Sequence, residues 1–227
     1  MQFDSIAPRT AYQAAADRLR RAILDSELRP GEALPSEREL SLQLGVGRST
    51  VREALRQLHA EGLVESPRRT APMRISDPGE RLPDLVRQVA RIRRLPLRAL
   101  LDARRAVEAR GLELAASSSD PERLVRAYEA LEVMEEPGRS AAEYHDADAA
   151  FHLALVESAG NPMLSLLLEG LREGMRDELI TLLSKRLDGA RARLLQEHRR
   201  LLASVEKGEV GRVADLLADH LEGFYGP

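Results

Sequence analysis

Three histidines and one aspartate occupy positions where helical periodicity calls for apolar side chains. His198 and His220 each lie on an apolar stripe of a predicted helix, and Asp148 and His152 stand one turn apart on one face of a third helix. All four side chains should therefore point into one helical bundle. Imidazole and carboxylate together suit a divalent metal, with Zn²⁺ the best match and Ni²⁺ or Mn²⁺ also suitable. The spacing predicts a buried metal site, whereas His145 lacks this placement and receives no role.

A row of arginines marks a second surface that could bind a ligand. Arg48, Arg52 and Arg56 follow one another at four-residue intervals, so they share one face of a helix whose other side is apolar. Such a face either lies in the major groove of DNA or is simply solvated. The neighbouring elements favour the DNA-binding interpretation.

Those elements predict a helix-turn-helix. Ser36 and Glu39 have the spacing of a capping box, so a helix should begin there. The glycines at 45 and 47 interrupt the helical pattern, and Gly62 ends the arginine-faced helix. In a helix-turn-helix the second helix fits the major groove. Residues 64–75 then predict a short hairpin, the wing.

Beyond residue 83 the chain is helical in periodicity throughout. We predict helices near 84–94, 97–117, 121–135, 140–159, 162–184, 188–207 and 210–223, separated by proline, glycine and serine. The predicted fold is mostly α, an N-terminal winged helix-turn-helix followed by an antiparallel bundle of six or seven helices. The polar segment 76–83, broken by Pro and Gly, is the predicted linker between domains at 1–75 and 84–227.

Composition limits the class of protein. The 227 residues allow two domains, and the absence of cysteine excludes disulfides and thiolate metal sites. Because no apolar run is long enough for a membrane span and the start lacks a signal-peptide pattern, we expect a cytoplasmic protein. The net charge is −3, with a slight basic excess through residue 76 and an acidic excess beyond it. This division fits a DNA-binding head on a domain that does not touch DNA.

The segment 30–65, PGEALPSERELSLQLGVGRSTVREALRQLHAEGLVE, resembles the winged helix-turn-helix of the GntR family of bacterial transcription regulators. The resemblance covers about residues 10–76. It implies that Arg38, Arg48 and Arg52 contact an operator, and that Ser49 and Thr50 lie against the DNA backbone or base edges.

The wing departs from that family's pattern. Members usually have glycines at the wing tip, whereas residues 66–73 contain none, which removes the tight backbone approach that glycine allows. Arg68 and Arg69 remain candidates for contact with a minor groove or with phosphates.

The C-terminal part resembles the FCD-type ligand-binding domain of the FadR subgroup of the same family. The matching pieces are DAAFH at 148–152, SAGNP at 158–162, EHR at 197–199 and DHL at 219–221. The resemblance implies that Asp148, His152, His198 and His220 bind a divalent metal that holds a small carboxylate effector. The run DARRAVE at 102–108 also matches, and it implies that Arg104 pairs with the effector's carboxylate; its neighbour at position 105 is the alternative.

Together these features predict a ligand-responsive transcription regulator, a repressor that binds a palindromic double-stranded operator as a homodimer. A small organic acid would change how the two heads are spaced and release the DNA. One alternative is a metal-dependent enzyme fused to a DNA-binding head, and another is a regulator whose ion is purely structural. Because the sequence contains no HExxH run, no nucleophile with its base and no phosphate loop, we predict that it is not an enzyme.

Overall fold

The computed structural model describes residues 10–25, 28–66, 72–118 and 120–225. The chain divides into two units, Met1–Glu80 and Arg81–Pro227. The first unit contains α1 (Ala11–Leu24), α2 (Glu37–Leu44), α3 (Arg48–Ala60), β1 (Val64–Glu65) and β2 (Arg74–Ile75). Then follow α4 (Pro78–Arg93), α5 (Leu97–Ser118), a 3₁₀ turn (Pro121–Leu124), α6 (Val125–Glu135), α7 (Ala141–Glu157), α8 (Pro162–Glu206) and α9 (Val210–Tyr225). The predicted fold class is confirmed.

Helix α2 begins and ends where the sequence predicts. The Ser36 hydroxyl accepts a hydrogen bond from the Glu39 backbone N–H, and the Glu39 carboxylate accepts one from the Ser36 N–H at 2.8 Å. These two bonds satisfy backbone donors that a helix start leaves unpaired. Gly45 follows α2 in the left-handed region at φ +66°, a conformation that costs glycine nothing. This turn leads directly to α3.

The apolar side of α3 forms the core of the first unit. Val51, Ala54 and Leu58 are fully buried, in one cluster with Ala16 and Leu19 of α1. Burying a side chain of Leu or Val size contributes roughly 1.5–3 kcal/mol, so this packing fixes the rotation of α3 about its axis. The arginine row on the other side is therefore held outward. The strands β1 and β2 pair antiparallel with Val64 opposite Ile75, as predicted for the base of the wing.

The prediction that the next helix begins near residue 84 is wrong, because α4 already begins at Pro78, within the predicted linker 76–83. The Asp77 carboxylate accepts a hydrogen bond from the Gly79 N–H at 2.8 Å, as a helix cap does. Proline at the first helical position has a suitable φ and no N–H to leave unpaired. Pro83 removes one hydrogen bond inside the helix without ending it.

The predicted break at 188–189 is also wrong, since α8 runs without interruption from Pro162 to Glu206. A glycine inside a helix costs only about 1 kcal/mol relative to alanine. Leu183, Leu187, Ala190 and Leu194 form a continuous buried stripe across that point. Burial of this stripe outweighs the weak local signal of Gly189.

The second unit is a bundle around one large apolar core, and its helices approach closely where the polar cluster lies. Gly111 of α5 faces Val156 of α7, and a Cβ at Gly111 would lie 2.8 Å from two Val156 methyl carbons. Only glycine permits this spacing of α5 and α7. The close approach brings the buried polar residues of the two helices together. Along the residues that the structure describes, no helix combines the length and the apolar character needed to span a membrane.

Candidate metal centre and nucleic-acid interface

Three helices bring the four predicted metal ligands together. Asp148 and His152 come from α7, His198 from α8 and His220 from α9, and all four are buried. One potential ligand atom from each lies within 4.8 Å of all the others. The Asp148 Oδ1 atom is 3.0 Å from His198 Nε2 and 3.6 Å from His152 Nε2. Helical spacing alone therefore identified residues that are distant in sequence and adjacent in space.

The imidazoles of His198 and His220 are in the form that metals bind. Burial lowers the pKa of His198 to about 3, although the nearby Asp148 carboxylate acts in the opposite direction. Burial likewise lowers the pKa of His220, against the effect of Glu197. Both rings are therefore neutral at pH 7 and have a lone pair for a cation.

The donor set fits a divalent ion. The Nε2 atoms of His152, His198 and His220 are buried and make no hydrogen bond of regular geometry among the described residues, although Asp148 Oδ1 lies 3.0 Å from His198 Nε2. A buried nitrogen without a partner is costly, and a cation between the rings would satisfy all three. Three imidazole nitrogens and one carboxylate oxygen match the ligands of zinc.

Two glutamates orient the histidines from outside the cluster. Glu197 Oε2 lies 2.9 Å from His220 Nδ1, and a Glu108 carboxylate oxygen is in close contact with His152 Nδ1. An Nδ1–H donated to a carboxylate leaves the Nε2 lone pair directed away from it, toward the cluster. Neither glutamate was predicted from the sequence to have this role. Glu108 has a detectable signal, because it lies one turn after Arg104 on the buried stripe of α5.

Arg104 is fully buried in the second unit and does not face solvent. Its Nε atom donates to Glu108 Oε2 at 2.8 Å. Burial alone would raise the pKa of the Glu108 carboxyl, but Arg104 and His152 outweigh that effect and lower it well below its usual value. The alternative arginine, Arg105, is half exposed and pairs with Glu222 at 3.0 Å. Of the two candidates, only Arg104 belongs to the buried polar cluster.

Arg172 of α8 belongs to the buried polar cluster and was not predicted from the sequence. It is 4% exposed, and its Nη2 donates a hydrogen bond to Asp148 Oδ2. Burial raises the pKa of the Asp148 carboxyl, yet Arg172 and His152 lower it well below its ordinary value. Arg172 lies on the stripe formed by Leu168, Met175 and Leu179, the same signal that identified the histidines. It was detectable from the sequence by the same reasoning.

The residues implied for DNA contact lie on the outer side of α2 and at the start of α3. Arg38, Arg48, Ser49 and Arg52 are exposed, and Thr50 is half-buried. Arg68 and Arg69 lie outside the described residues.

Arg52 is already held in place by an acidic partner. Its Nε and Nη2 atoms donate to the two carboxylate oxygens of Glu37 at 3.1 and 2.8 Å. This bidentate bond from Arg52 lowers the pKa of the Glu37 carboxyl. Because both side chains remain substantially exposed, the pair can open at little cost when another hydrogen-bond acceptor approaches.

Comparison with known proteins assigns both parts of the chain. A family model described as "Bacterial regulatory proteins, gntR family" matches residues 11–71, and an FCD domain model matches residues 99–223. The Uxu operon transcriptional regulator of Escherichia coli K12 is 31% identical over 216 residues, which cover 93% of this chain and 84% of that protein. The HTH-type transcriptional regulator LutR of Bacillus subtilis 168 is 31% identical over 207 residues, which cover 88% of this chain and 92% of that protein.

A solved structure, Streptococcus agalactiae GntR, has the same fold. It superposes with a TM-score of 0.61 at 24% sequence identity and covers 93% of this chain and 98% of its own. At this level of identity the likeness concerns the fold alone.

Proposed function

We propose that this chain, which belongs to the gntR family of bacterial regulatory proteins and carries an FCD domain, is a repressor controlled by a small carboxylate. It is a DNA-binding transcription regulator with a ligand-binding domain, and regulators of transcription are not enzymes. We infer that it acts in the cytoplasm, where its DNA is. The observation that carries the proposal is the buried cluster of three histidines and one aspartate beside the buried Arg104.

Asp148, His152, His198 and His220 would hold the divalent ion, with Zn²⁺ the best match to this donor set and Ni²⁺ or Mn²⁺ as alternatives. When bound, the ion supplies a positive charge to which an anionic oxygen can bind. The glutamates behind His152 and His220 hold the rings so that Nε2 faces the site.

Arg104 supports a carboxylate as the effector. Its guanidinium is buried next to the cluster, and a guanidinium fork matches the geometry of a carboxylate. In a buried site the attraction between the two charges is much stronger than in water. The ion pair of Arg104 with Glu108 holds the guanidinium in position.

At the other end of the chain, the proposed DNA-binding residues are Arg38, Arg48, Ser49, Thr50 and Arg52. The side chains at 38, 48, 49 and 52 are exposed, and α3 is fixed by its buried face so that this surface points outward. The arginines at 68 and 69 in the wing are proposed contacts on the basis of the sequence alone. The proposed domains remain 1–75 and 84–227, with signals passing through residues 76–83.

An apolar stripe on α4 supports a homodimer. Leu85, Val89 and Ile92 are 55%, 44% and 79% exposed and lie on one face of the helix. Contiguous exposed apolar residues mark interaction sites, and a two-fold dimer buries the same patch of each subunit. A dimer of two helix-turn-helix units matches a palindromic operator. Effector binding would then shift the equilibrium between two spacings of the heads and release the DNA.

The test is a screen of small carboxylic acids by thermal unfolding, run in parallel on zinc-loaded and chelator-stripped protein. A carboxylate at about 100 times its dissociation constant adds roughly 2.7 kcal/mol of stability. We expect a carboxylate that stabilises only the zinc-loaded protein and weakens its binding to DNA. His198→Ala should lose zinc, as measured by elemental analysis, and lose this response while still binding DNA.

Other results would contradict the proposal. Conversion of the carboxylate, followed by NMR, would identify the alternative of a metal-dependent enzyme. A zinc ion that stabilises the fold while no carboxylate adds stability would make the ion purely structural. Full zinc occupancy in the His198→Ala protein would refute the ligand assignment.

A further inference from the structure

Two further polar side chains beside the cluster remain without a complete set of partners. Arg172 and His145 are 4% and 2% exposed. The Nε and Nη1 atoms of Arg172 and the Nδ1 atom of His145 have no hydrogen-bond partner among the described residues. His145 lies on α7 one turn before Asp148, the residue that Arg172 contacts. Buried donors of this kind call for an acceptor that the chain itself does not provide.

The two side chains approach Asp148 from two helices, Arg172 from α8 by direct contact and His145 from one turn earlier on α7. Burial lowers the pKa of His145 to about 4, and the positive charge of Arg172 contributes to that shift. His145 is therefore neutral at pH 7 and offers a nitrogen without adding a charge. Arg172 offers two N–H groups, at Nε and Nη1, that Asp148 does not use.

The charges of the metal-ligand cluster and of the buried side chains next to it indicate how much negative charge a ligand must carry. Arg104 and Arg172 are balanced by Glu108 and Asp148, and all four side chains are buried. Glu197 is one-fifth exposed and has Arg193 beside it, so it does not enter this balance. Without an ion the cluster is neutral. A divalent ion adds two positive charges, and buried charge without compensation is strongly unfavourable.

We propose that the effector is a dicarboxylate, and that Arg172 and His145 bind its second carboxylate. This inference rests on the proposed function, in which the ion and Arg104 bind the first. A dianion neutralises the ion-loaded cluster, whereas a monocarboxylate leaves one positive charge buried. The second carboxylate accepts hydrogen bonds from Arg172 Nη1 and from His145, two of the donors that the fold leaves open.

The test measures the dissociation constants of matched acids by titration calorimetry on the zinc-loaded full-length protein at pH 7.5. The pairs are malonate and propionate, succinate and butyrate, and glutarate and valerate. In at least one pair the dicarboxylate should bind about tenfold or more tightly than the monocarboxylate, since a charge-assisted hydrogen bond is of that magnitude.

Variants then locate the preference. Arg172→Gln should bring the affinity for the dicarboxylate down to that of the monocarboxylate. Arg176→Gln is the matched control, because Arg176 lies one turn further along α8, is partly exposed, and pairs with Asp146 of α7 at 2.7 Å. His145→Leu leaves both arginines in place. It should weaken binding of the dicarboxylate and leave binding of the monocarboxylate unchanged. Zinc content, measured for each variant, separates loss of the ion from loss of the second contact.

The outcomes distinguish this inference from the function on which it rests. If monocarboxylates bind as tightly as their dicarboxylate partners, the dicarboxylate assignment is overturned and the carboxylate sensor survives. The same conclusion follows if zinc-loaded Arg172→Gln and His145→Leu keep the full preference. If neither class binds the zinc-loaded protein, the proposed function fails together with this inference.

Discussion

Glu197 of α8 reaches across to α9, where its Oε2 atom lies 2.9 Å from His220 Nδ1. The Glu197 carboxylate is partly exposed and the His220 ring is buried. Their contact determines which nitrogen of the ring faces the cluster. A hydrogen bond from Nδ1–H to Glu197 leaves Nε2 of His220 for a metal ion. The last helix is thereby linked to the site by a side chain that is not itself a ligand.

Replacing this carboxylate should weaken metal binding without removing a ligand. Glu197→Gln should lower zinc affinity by about 10–100-fold, the usual effect of removing a partner outside the first ligands. Competition with a chromogenic zinc chelator measures it. Glu178→Gln, at an exposed position on the same helix, is the control and should have no effect. Equal zinc affinity of Glu197→Gln and the unchanged protein would show that the contact does not orient the ring.

Because Arg104 and Glu108 form a buried ion pair, replacing only one of them should strongly destabilise the folded protein. Arg104→Met leaves a buried carboxylate without its guanidinium, which costs roughly 3–5 kcal/mol of unfolding free energy. The double variant Arg104→Met/Glu108→Gln should recover most of that loss, because the uncompensated charge is gone. Urea unfolding of chelator-stripped protein measures both. Equal destabilisation by the single and double variants would contradict a charge-pairing role.

The buried His145 should make stability depend on pH in the acid range. Its pKa is lowered from 6.5 to about 4, first by burial and then by Arg172. The unfolded state therefore takes up a proton at a higher pH than the folded state. The contribution of neutral His145 to the free energy of unfolding is fully present above pH 6.5 and is lost as the pH falls from about 6.5 to about 4. At about 1.4 kcal/mol per pKa unit, the loss is on the order of 3 kcal/mol.

The contribution of this histidine is obtained by difference. Urea unfolding of chelator-stripped protein at pH 7 and at pH 4.5 should show a smaller loss of stability in His145→Leu than in the unchanged protein. Identical losses in the two proteins would assign the acid sensitivity to other groups.

In the first unit, Arg52 should contribute directly to recognition of DNA. Arg52→Ala should weaken binding to a DNA fragment selected by the protein from a random pool by about 1–3 kcal/mol, the range for an arginine that contacts a base edge. Arg56→Ala is the control on the same helix, since Arg56 also forms an ion pair, with Glu53. Fluorescence anisotropy at one fixed salt concentration measures both. A loss no larger for Arg52→Ala than for Arg56→Ala would argue against base contact.

A charge on the exposed face of α4 should break the proposed dimer. Val89→Glu places a carboxylate in the apolar stripe, so the protein should elute and scatter light as a monomer and bind the selected DNA more weakly. Val125→Glu is the matched control, because Val125 on α6 is 52% exposed and lies on another helix. A dimer that persists in Val89→Glu would exclude this face as the interface.

Much of the architecture followed from local patterns. The cap at Ser36, the glycine turn after α2 and the apolar side of α3 are short-range features, and each formed where the sequence predicted it. Local signals failed at the start of α4 and at Gly189. There, a cap by Asp77 and a buried stripe on α8 outweighed residues that usually end helices. A prediction that ends helices at proline and glycine does not consider either of these two contacts.

The sequence by itself determined which side chains face the interior, because a helix places every third or fourth residue on one side. That periodicity was enough to bring Asp148, His152, His198 and His220 into one predicted cluster. Only the tertiary structure decided what surrounds them: Glu108 and Glu197 behind the rings, and Arg172 on the aspartate. Periodicity specifies a face but not its neighbours, since those depend on how closely helices distant in sequence pack, as at Gly111 against Val156.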